Sequence, residues 1–427
     1  MRDALRALAL ACTLSCAPAW ADDLMDTWRL ARANDPVLAA AGAARAGTHD
    51  LADLARAALL PQASAVAAVN RERDVVANAR TTDVTLGVNQ VVFDAALWSQ
   101  LRAAHLAADA HDAALQAAEQ ALCLRVATAY FDALLAADLL ASVQANEDAF
   151  AQQVEQSQQR YQAGLDAQVD VDQARAYRAL AHGSTIAARQ AWVDALAAVG
   201  EITGHTPASL KSLREDLPLA APVPADPQAW AATALQANPA LWAAQKAVDA
   251  ADSGIDAARA GHLPTLAVGL NLGRPSGSTY GDASGRLSRS AALTLTLPLF
   301  SGGATQARVS QALHQRDGAR DSLEIQRRAV ERGAKAAYGS VVAGIGQVLA
   351  TRESVAAAQA SLAATRVGRE VGNRTMTDLL GAIQTLAQAQ AAQAQARHQF
   401  ILGRLQLQQA AGALSQADLA NVNALLQ

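Results

Sequence analysis

Aromatic rings and charges are scarce in this chain. Phe, Trp and Tyr make up 4% of its 427 residues, and Asp, Glu, Lys and Arg make up 17%, against about 25% charged residues in average proteins. So few rings leave no material for a thick aromatic core. The hydrophobic share of 52% excludes intrinsic disorder, and much of it is alanine, as in Ala39-Ala40-Ala41 and Ala356-Ala357-Ala358. Alanine forms helix best and buries little area, so the composition fits long, closely packed helices. Net charge is −4 and Lys and Arg form no basic stripe. Phosphate recognition needs clustered cations, so no nucleic-acid partner is expected.

Catalytic signatures are missing as well. The eight histidines have no ligand spacing, and no phosphate-cradling glycine loop, nucleophile elbow or cysteine cluster is present. His105 and Asp109, one helical turn apart, read as a solvated helix face. The expectation is a protein with no catalytic residues, no metal and no cofactor, and any energy for work must come from partners.

Of three cysteines, Cys12 and Cys16 lie in the first 21 residues. There Met1 to Arg6 is a short basic start, Ala7 to Ala17 is apolar, and Ala19-Trp20-Ala21 has the small-x-small form of a cleavage site. Residues 1–21 are read as a signal peptide. Neither cysteine follows the Leu-small-small triplet of a lipoprotein site, so both read as part of an apolar signal core. Cys123, flanked by Leu122 and Leu124, reads as a buried small hydrophobe with no disulfide partner. After residue 21 no stretch reaches the about 18–20 uncharged apolar residues of a spanning helix.

The chain repeats itself once. Asp35-Pro36 recurs as Asn238-Pro239 and Leu60-Pro61 as Leu263-Pro264, 203 residues later. Ala129-Tyr130 recurs as Ala337-Tyr338, Gly164 as Gly372, Asp170 as Asp378 and Gly204 as Gly412, 208 residues later. The order is kept, and a period this long means two similar halves. In each half a helical pattern ends at Leu-Pro, two strand-like segments follow, and a long helical stretch runs to a glycine turn and back.

Strict alternation marks the strands. Leu266, Val268, Leu270 and Leu272 share one face, with Thr265, Ala267, Gly269 and Asn271 on the other. Leu293 to Leu299 and Val84 to Val88 repeat the pattern, and Ala63 to Asn70 is a fainter version. The link Arg274–Arg289, with Gly277, Gly281 and Gly285, reads as an exposed loop. Proline is absent from Phe93 to Pro207, so Ala95–Tyr161 is open to one helix, about 100 Å if continuous. Leu140, Glu147 and Val154 are seven apart, Val143, Phe150, Ser157 and Tyr161 add the intervening seam, and Val348, Val355 and Leu362 are the repeat mates of the first three.

Four strands with one leucine face and one Thr/Gly/Asn face resemble barrel staves, apolar outward and polar inward. Four cannot close a barrel, since the smallest membrane barrels have about eight strands. Open edges in lipid leave backbone groups unpaired at several kcal/mol each. If these strands enter a membrane, several chains must share one barrel. A soluble sheet packed on helices is the competing reading, and the alanine-rich helices offer little apolar face to cover one.

In this order and duplication, Asn34-Asp35-Pro36, Leu60-Pro61, Ala129-Tyr130-Phe131, Gly261 to Pro264, Pro298 to Gly303 and Gly412 resemble the TolC-like outer membrane efflux and secretion ducts. So do the two glycine turns, Gly164 to Asp170 and Gly372 to Leu380. The resemblance covers nearly all of the chain after residue 21. It implies a mainly α fold with a membrane β part. Long antiparallel coiled-coil helices form a periplasmic tunnel, and four strands per chain contribute to a 12-stranded barrel shared by a homotrimer. It also implies an outer membrane location, an inner-membrane transporter of ABC or RND type, and a periplasmic adaptor.

The expected organisation is a first repeat over 22–204, with strands near 63–70 and 83–93, and an irregular proline-rich connector over 205–239. A second repeat follows over 240–414, with strands near 265–273 and 290–300, and then a C-terminal segment over 415–427. Pro61 and Pro264 match the family's helix-to-strand transitions. The second turn of the family carries an entrance gate with an arginine and two aspartates. Arg374 and Asp378 match the arginine and first aspartate, and Gly381 stands in the second aspartate's place. Asp170 matches an aspartate engaged in closed-state polar links. Each also has a plainer reading: Thr375 to Asp378 as a capping box, Asp170 as a helix cap, and Gly164 and Gly372 as left-handed helix ends. A passive exit duct is the leading function. A periplasmic coiled-coil adaptor or structural protein is the alternative.

Overall fold

A computed structural model of the chain describes residues 22–73, 78–277 and 287–427. The expected signal peptide, Tyr280 and the glycines at 281 and 285 lie outside the described residues. The elements run α1 (Leu24–Asn34), α2 (Pro36–Ala57), β1 (Gln62–Arg73), β2 (Asn78–Phe93), α3 (Ala95–Gln162), α4 (Gln168–Thr203), α5 (Pro227–Ala237) and α6 (Pro239–Arg259). A 3₁₀ turn (Ala260–His262), β3 (Thr265–Gly277), β4 (Ser288–Thr296), α7 (Ala304–Glu370), α8 (Met376–Ala410) and α9 (Gln416–Asn423) follow.

Helix starts follow local chemistry. Asp23 accepts from the Asp26 amide at 2.8 Å and caps α1. Pro36 and Pro239 open α2 and α6, where a missing N–H costs nothing. The connector 205–239 is not irregular throughout: Asp226 caps α5 and Pro227 opens it, so this proline starts a helix. Pro61 directly precedes β1, and Pro264 sits between the 3₁₀ turn and β3. Proline cannot continue a helix, and it is tolerated at a strand's first residue.

The chain divides into two compact units that cut across the sequence repeats. One holds the chain up to Ala39 with Ala117–Asn238 and Val330–Gln427, and the other holds Ala40–Gln116 and Pro239–Ala329. Each unit draws on both halves of the duplication, so a repeat alone is not a compact body.

In the unit carrying the strands, an antiparallel sheet has the order β1-β2-β3-β4. Leu86 pairs with Leu272, Val88 with Leu270, Leu266 with Leu295 and Val268 with Leu293. Period-two alternation therefore gathers the leucines on one face, with Thr85, Gly87 and Asn271 on the other. β1 completes the leucine face with alanines, Ala65 opposite Leu86 and Ala67 opposite Val84. Leu293 and Leu295 are each 68% exposed. The ladder ends at the Thr265–Thr296 pair, short of the alternation that runs on to Leu299, because neither Pro264 nor Pro298 can donate a further bond. Paired residues also reach into the expected links, as Arg71 with Arg80 and Arg274 with Val84. Phe93, Trp98 and Phe300 are exposed large side chains beyond or at the ends of these strands.

The other unit is built on long helices and the connector. Leu24, Trp28, Phe131, Trp230, Phe400 and Leu419 share its main core, a belt where the connector meets the long helices. Tyr130, fully buried, donates to the carbonyls of Asp22 and Lys211, each at 3.1 Å, tying α3 to the start of the described chain and to the connector. By length and composition α3 holds an 18-residue window apolar enough to cross a bilayer, with mean hydropathy 1.5. The sequence expectation concerned uncharged stretches, and α3 holds none of that length, being interrupted at Asp112, Glu119, Arg125, Asp132 and Asp138. Leu122, Val126, Phe131 and Leu134 of α3 place their apolar side chains in the protein core. On the seam Phe150, Ser157, Val348, Val355 and Leu362 are buried, whereas Tyr161 is 44% exposed and lies off it. Glu147 lies 2.8 Å from His182 Nδ1. Hydrogen bonds from Thr185 and His182 hold its carboxyl below the usual range.

The duplicated landmarks meet in duplicated contacts. Asp35 is 4% exposed and accepts from Arg125 Nη2 and the Leu38 amide, each at 2.7 Å. Burial alone would raise its pKa, and these donors bring it below the ordinary value. Gly204 (φ 75°) ends α4 under Asn34, and Gly412 (φ 73°) follows α8 under Ala237 and Asn238. A Cβ on Gly412 would lie 2.6 Å from the Ala237 carbonyl oxygen, while one on Gly204 would have its nearest neighbour at 3.5 Å. Gly412→Ala should therefore cost about 2–4 kcal/mol, left-handed strain plus backbone overlap. Gly204→Ala should cost about 1–2 kcal/mol, strain alone. Circular-dichroism melting in detergent checks this, and equal losses would contradict the assigned overlap.

Candidate functional site at the hairpin turns

Both turns that sequence singled out lie in the unit of long helices. Gly164 and Gly372 have φ of 73° and 80° and a Cβ on either would meet open space. Backbone conformation is thus the reason for glycine at each. After Gly164 the chain drops into α4 without a side-chain cap, for Ala167 holds the cap position. Asp170 is in the first turn of α4 but does not cap it, in contrast to the plainer sequence reading. Its carboxylate lies 3.6 Å from Arg369 Nη2 at the end of α7.

A residue that sequence reading passed over joins the turns. Asp166, whose side chain is 5% exposed, receives Arg160 Nε at 3.1 Å on both oxygens and Arg369 Nη2 at 2.7 Å. Arg369 is itself only 14% exposed. Thr377 Oγ1 adds a second bond across the hairpins, to Gln173 Oε1 at 2.9 Å. Beneath these polar links Phe150, Leu362, Met376, Leu380 and Ile383 form a local apolar cluster. The tips of the two hairpins are thus fastened by a nearly buried Arg–Asp cluster over a small core. One signal in the sequence pointed here: Asp166 and Arg374 occupy equivalent repeat positions with opposite charge, so one turn holds an anion where the other holds a cation.

Asp378 has the second geometry expected of it. The Asp378 amide donates to Thr375 Oγ1 at 3.1 Å and the Thr375 amide donates to Asp378 Oδ2 at 2.9 Å, a complete capping box at the start of α8. These Thr375 bonds, with the nearby Arg374 charge, hold the Asp378 carboxyl below the usual range. The side chain remains exposed to solvent, so capping and a carboxylate ring are compatible. Arg374 lies over the last turn of α7, where a Cβ on Gly368 would stand 2.7 Å from its Cγ. The structure therefore brings Asp166, Asp170 and Arg369 together, with Arg374 and Asp378 on the adjoining turn. No proton relay or nucleophile is among them.

The profile of the outer membrane efflux protein family matches residues 28–205 and 230–413. The chain belongs to this family. The outer membrane protein TolC of Vibrio cholerae serotype O1 is 34% identical over 421 residues, spanning 97% of this chain and 96% of the relative. The alkaline protease secretion protein AprF of Pseudomonas aeruginosa is 29% identical over 423 residues, 95% of this chain and 88% of the relative. Among solved structures, a CusC channel superimposes with a TM-score of 0.82 at 18% identity, covering 94% of this chain and 95% of that one. The fold is that of channels joining a helical tunnel to a β-barrel. As a family member the chain is an outer membrane exit duct for efflux or type I secretion, and not an enzyme. The adaptor alternative falls with that assignment.

Removing Arg369 should loosen the turns. In Arg369→Leu, Asp166 keeps Arg160 alone, at a cost of about 1–3 kcal/mol. Amide hydrogen exchange at residues 165–170 and 372–378 should quicken while the belt core stays protected. Unchanged exchange would mean that the apolar cluster alone holds the tips. Asp378 adds a pH term of known sign. Its folded-state pKa is depressed, so capping is complete above about pH 4 and lost as pH falls through the folded value.

Proposed function

We propose that three copies of this chain form the duct, each giving four strands to one barrel. The carrying observation is the open sheet: among the described residues no further strand lies beside β1 or β4, while Leu293 and Leu295 stand exposed. Lipid forbids unpaired strand edges, so the edges meet those of other copies. Two copies would supply about eight strands, an interior that side chains fill. Three copies are the smallest number that leaves a lumen.

The chain conducts passively, and an inner-membrane transporter of the ABC or RND class, joined through a periplasmic adaptor, supplies the energy. The absence of any phosphate-cradling motif in the sequence supports this division of labour. The hairpin turns form the tunnel entrance. There the Arg369–Asp166–Asp170 cluster fastens each copy's tips, and three Asp378 carboxylates with Arg374 beside them surround one axis. Such a ring favours cations and makes the entrance bind divalent ions.

Detergent-extracted protein should have the mass of three chains. Release as a soluble monomer by osmotic shock would overturn the reading. In planar bilayers Asp378→Ala should weaken divalent-cation block of single channels, and unchanged block would remove Asp378 from the entrance.

A further inference from the structure

The pair α7 and α8 has two dissimilar sides below the belt core. On one side the connector packs down, and its Glu215 and Asp216 share a groove with Arg352 of α7 and Arg397 of α8. On the reverse side lies a second groove, lined by Ser340, Gly344 and Gln347 of α7 and Gln395, Gln399 and Gln406 of α8. Helical spacing puts the two grooves on opposed faces. Gln347 and Arg352 are five residues apart, and Gln395 and Arg397 two, each about half a turn at 100° per residue.

The centre of the reverse face carries no charge, and Glu353, three residues past Ala350 and four before Ala357, stands at its margin. Along α7 its exposed positions are Ser340, Ala343, Gln347, Ala350, Ser354 and Ala357, alternating steps of four and three. Along α8 they are Thr385, Gln388, Ala392, Gln395, Gln399 and Gln406. All of α8 after Asp378 holds no acidic residue, and its two formal cations, Arg397 and Arg404, are turned elsewhere: Arg397 donates to the Leu213 and Arg214 carbonyls and Arg404 lies over the Phe400 ring. Exposed helix faces ordinarily carry charged side chains. A wet face that excludes them over this length, in a chain with charges on the reverse side, has a different requirement to meet.

We infer that this amide and hydroxyl face of α7 and α8 is a charge-neutral strip of the lumen wall, the surface against which cargo moves. The inference rests on the duct reading. In a duct wall one helix-pair face meets the lumen and the other faces the periplasm, and the bulky connector cannot occupy the lumen without closing it. Glutamine amides both donate and accept, and water replaces each bond at little cost. A strip of this kind wets the wall without holding ions or cargo of either sign, and a carboxylate or guanidinium at the same place would bind the opposite charge.

Purified channels in planar bilayers under a KCl gradient test the assignment. Gln395→Glu with Gln399→Glu should move the reversal potential toward cation selectivity. It should also let a cationic oligolysine block at concentrations on the order of tenfold lower. Gln390→Glu with Gln393→Glu, on the connector side, is the control and should leave both measurements unchanged. A second measurement avoids acidic variants: Gln399→Cys in preformed channels should react with an anionic thiol reagent and change the current, against the background of the buried Cys123. Channels that conduct normally yet ignore both substitutions at 395 and 399 and the thiol reagent would overturn the lumenal assignment. So would equal shifts from the connector-side pair. Failure of the unsubstituted chain to conduct at all would instead remove the duct reading, and this inference with it.

Discussion

Backbone hydrogen bonding at the sheet edges constrains everything else in this molecule. Among the described residues, four strands present two edges without a partner strand and a leucine face that stands exposed. In water such a sheet is a template for aggregation, and in lipid its edges are forbidden. The sequence responds with symmetry: leucines pair across the strands, Leu86 beside Leu272 and Leu266 beside Leu295, so that further copies can extend the ladder. Stability of the β part is thereby a property of the assembly, while that of the helical part is largely settled within one chain.

The helical part shows how. Its apolar residues are concentrated where α1, α3, α5, α7, α8, α9 and the connector converge, with Phe131, Trp230 and Phe400 in one core. Away from that belt the seams thin to residues such as Ser157, Val355 and Ala389, close-packed but with little area to bury. Alanine-rich helices can extend this far because each residue contributes helix propensity, and because the belt and the tip cluster anchor them at intervals. The duplication supplies the anchors twice, Gly204 under Asn34 and Gly412 under Ala237. It does so at unequal cost, since the second contact is tighter.

Much of this was legible in sequence, for identifiable reasons. Period-two alternation has few competing explanations, so the leucine faces of β3 and β4 could be read directly, as could Pro61 and Pro264 beside strand starts. The prolines of the connector were harder. Pro227 follows Asp226, a helix-starting pair, and the density of prolines around it hid the helix. Tyr161 fell off the seam because a heptad frame drifts from a 3.6-residue helix over long runs. The Arg369–Asp166 link stayed hidden because it joins residues some two hundred positions apart, and local pattern carries no information about such pairs. Only the charge reversal between Asp166 and Arg374 marked the spot.

That reversal also explains why the two turns divide their labour. At the first turn the anion is internal: Asp166 is almost fully buried between Arg160 and Arg369, and helix α4 starts without a cap. At the second turn the anion is external: Asp378 caps α8 through Thr375 and stays in water. A buried carboxylate flanked by two guanidiniums is expensive to expose and fixes geometry. A solvated one moves with its helix and keeps its charge in water. Duplicate turns carrying duplicate residues could not do both. One turn holds a buried ion pair and the other carries an exposed capped carboxylate, and divergence at two adjacent repeat positions, Asp166 against Arg374 and Ala167 against Thr375, separates them.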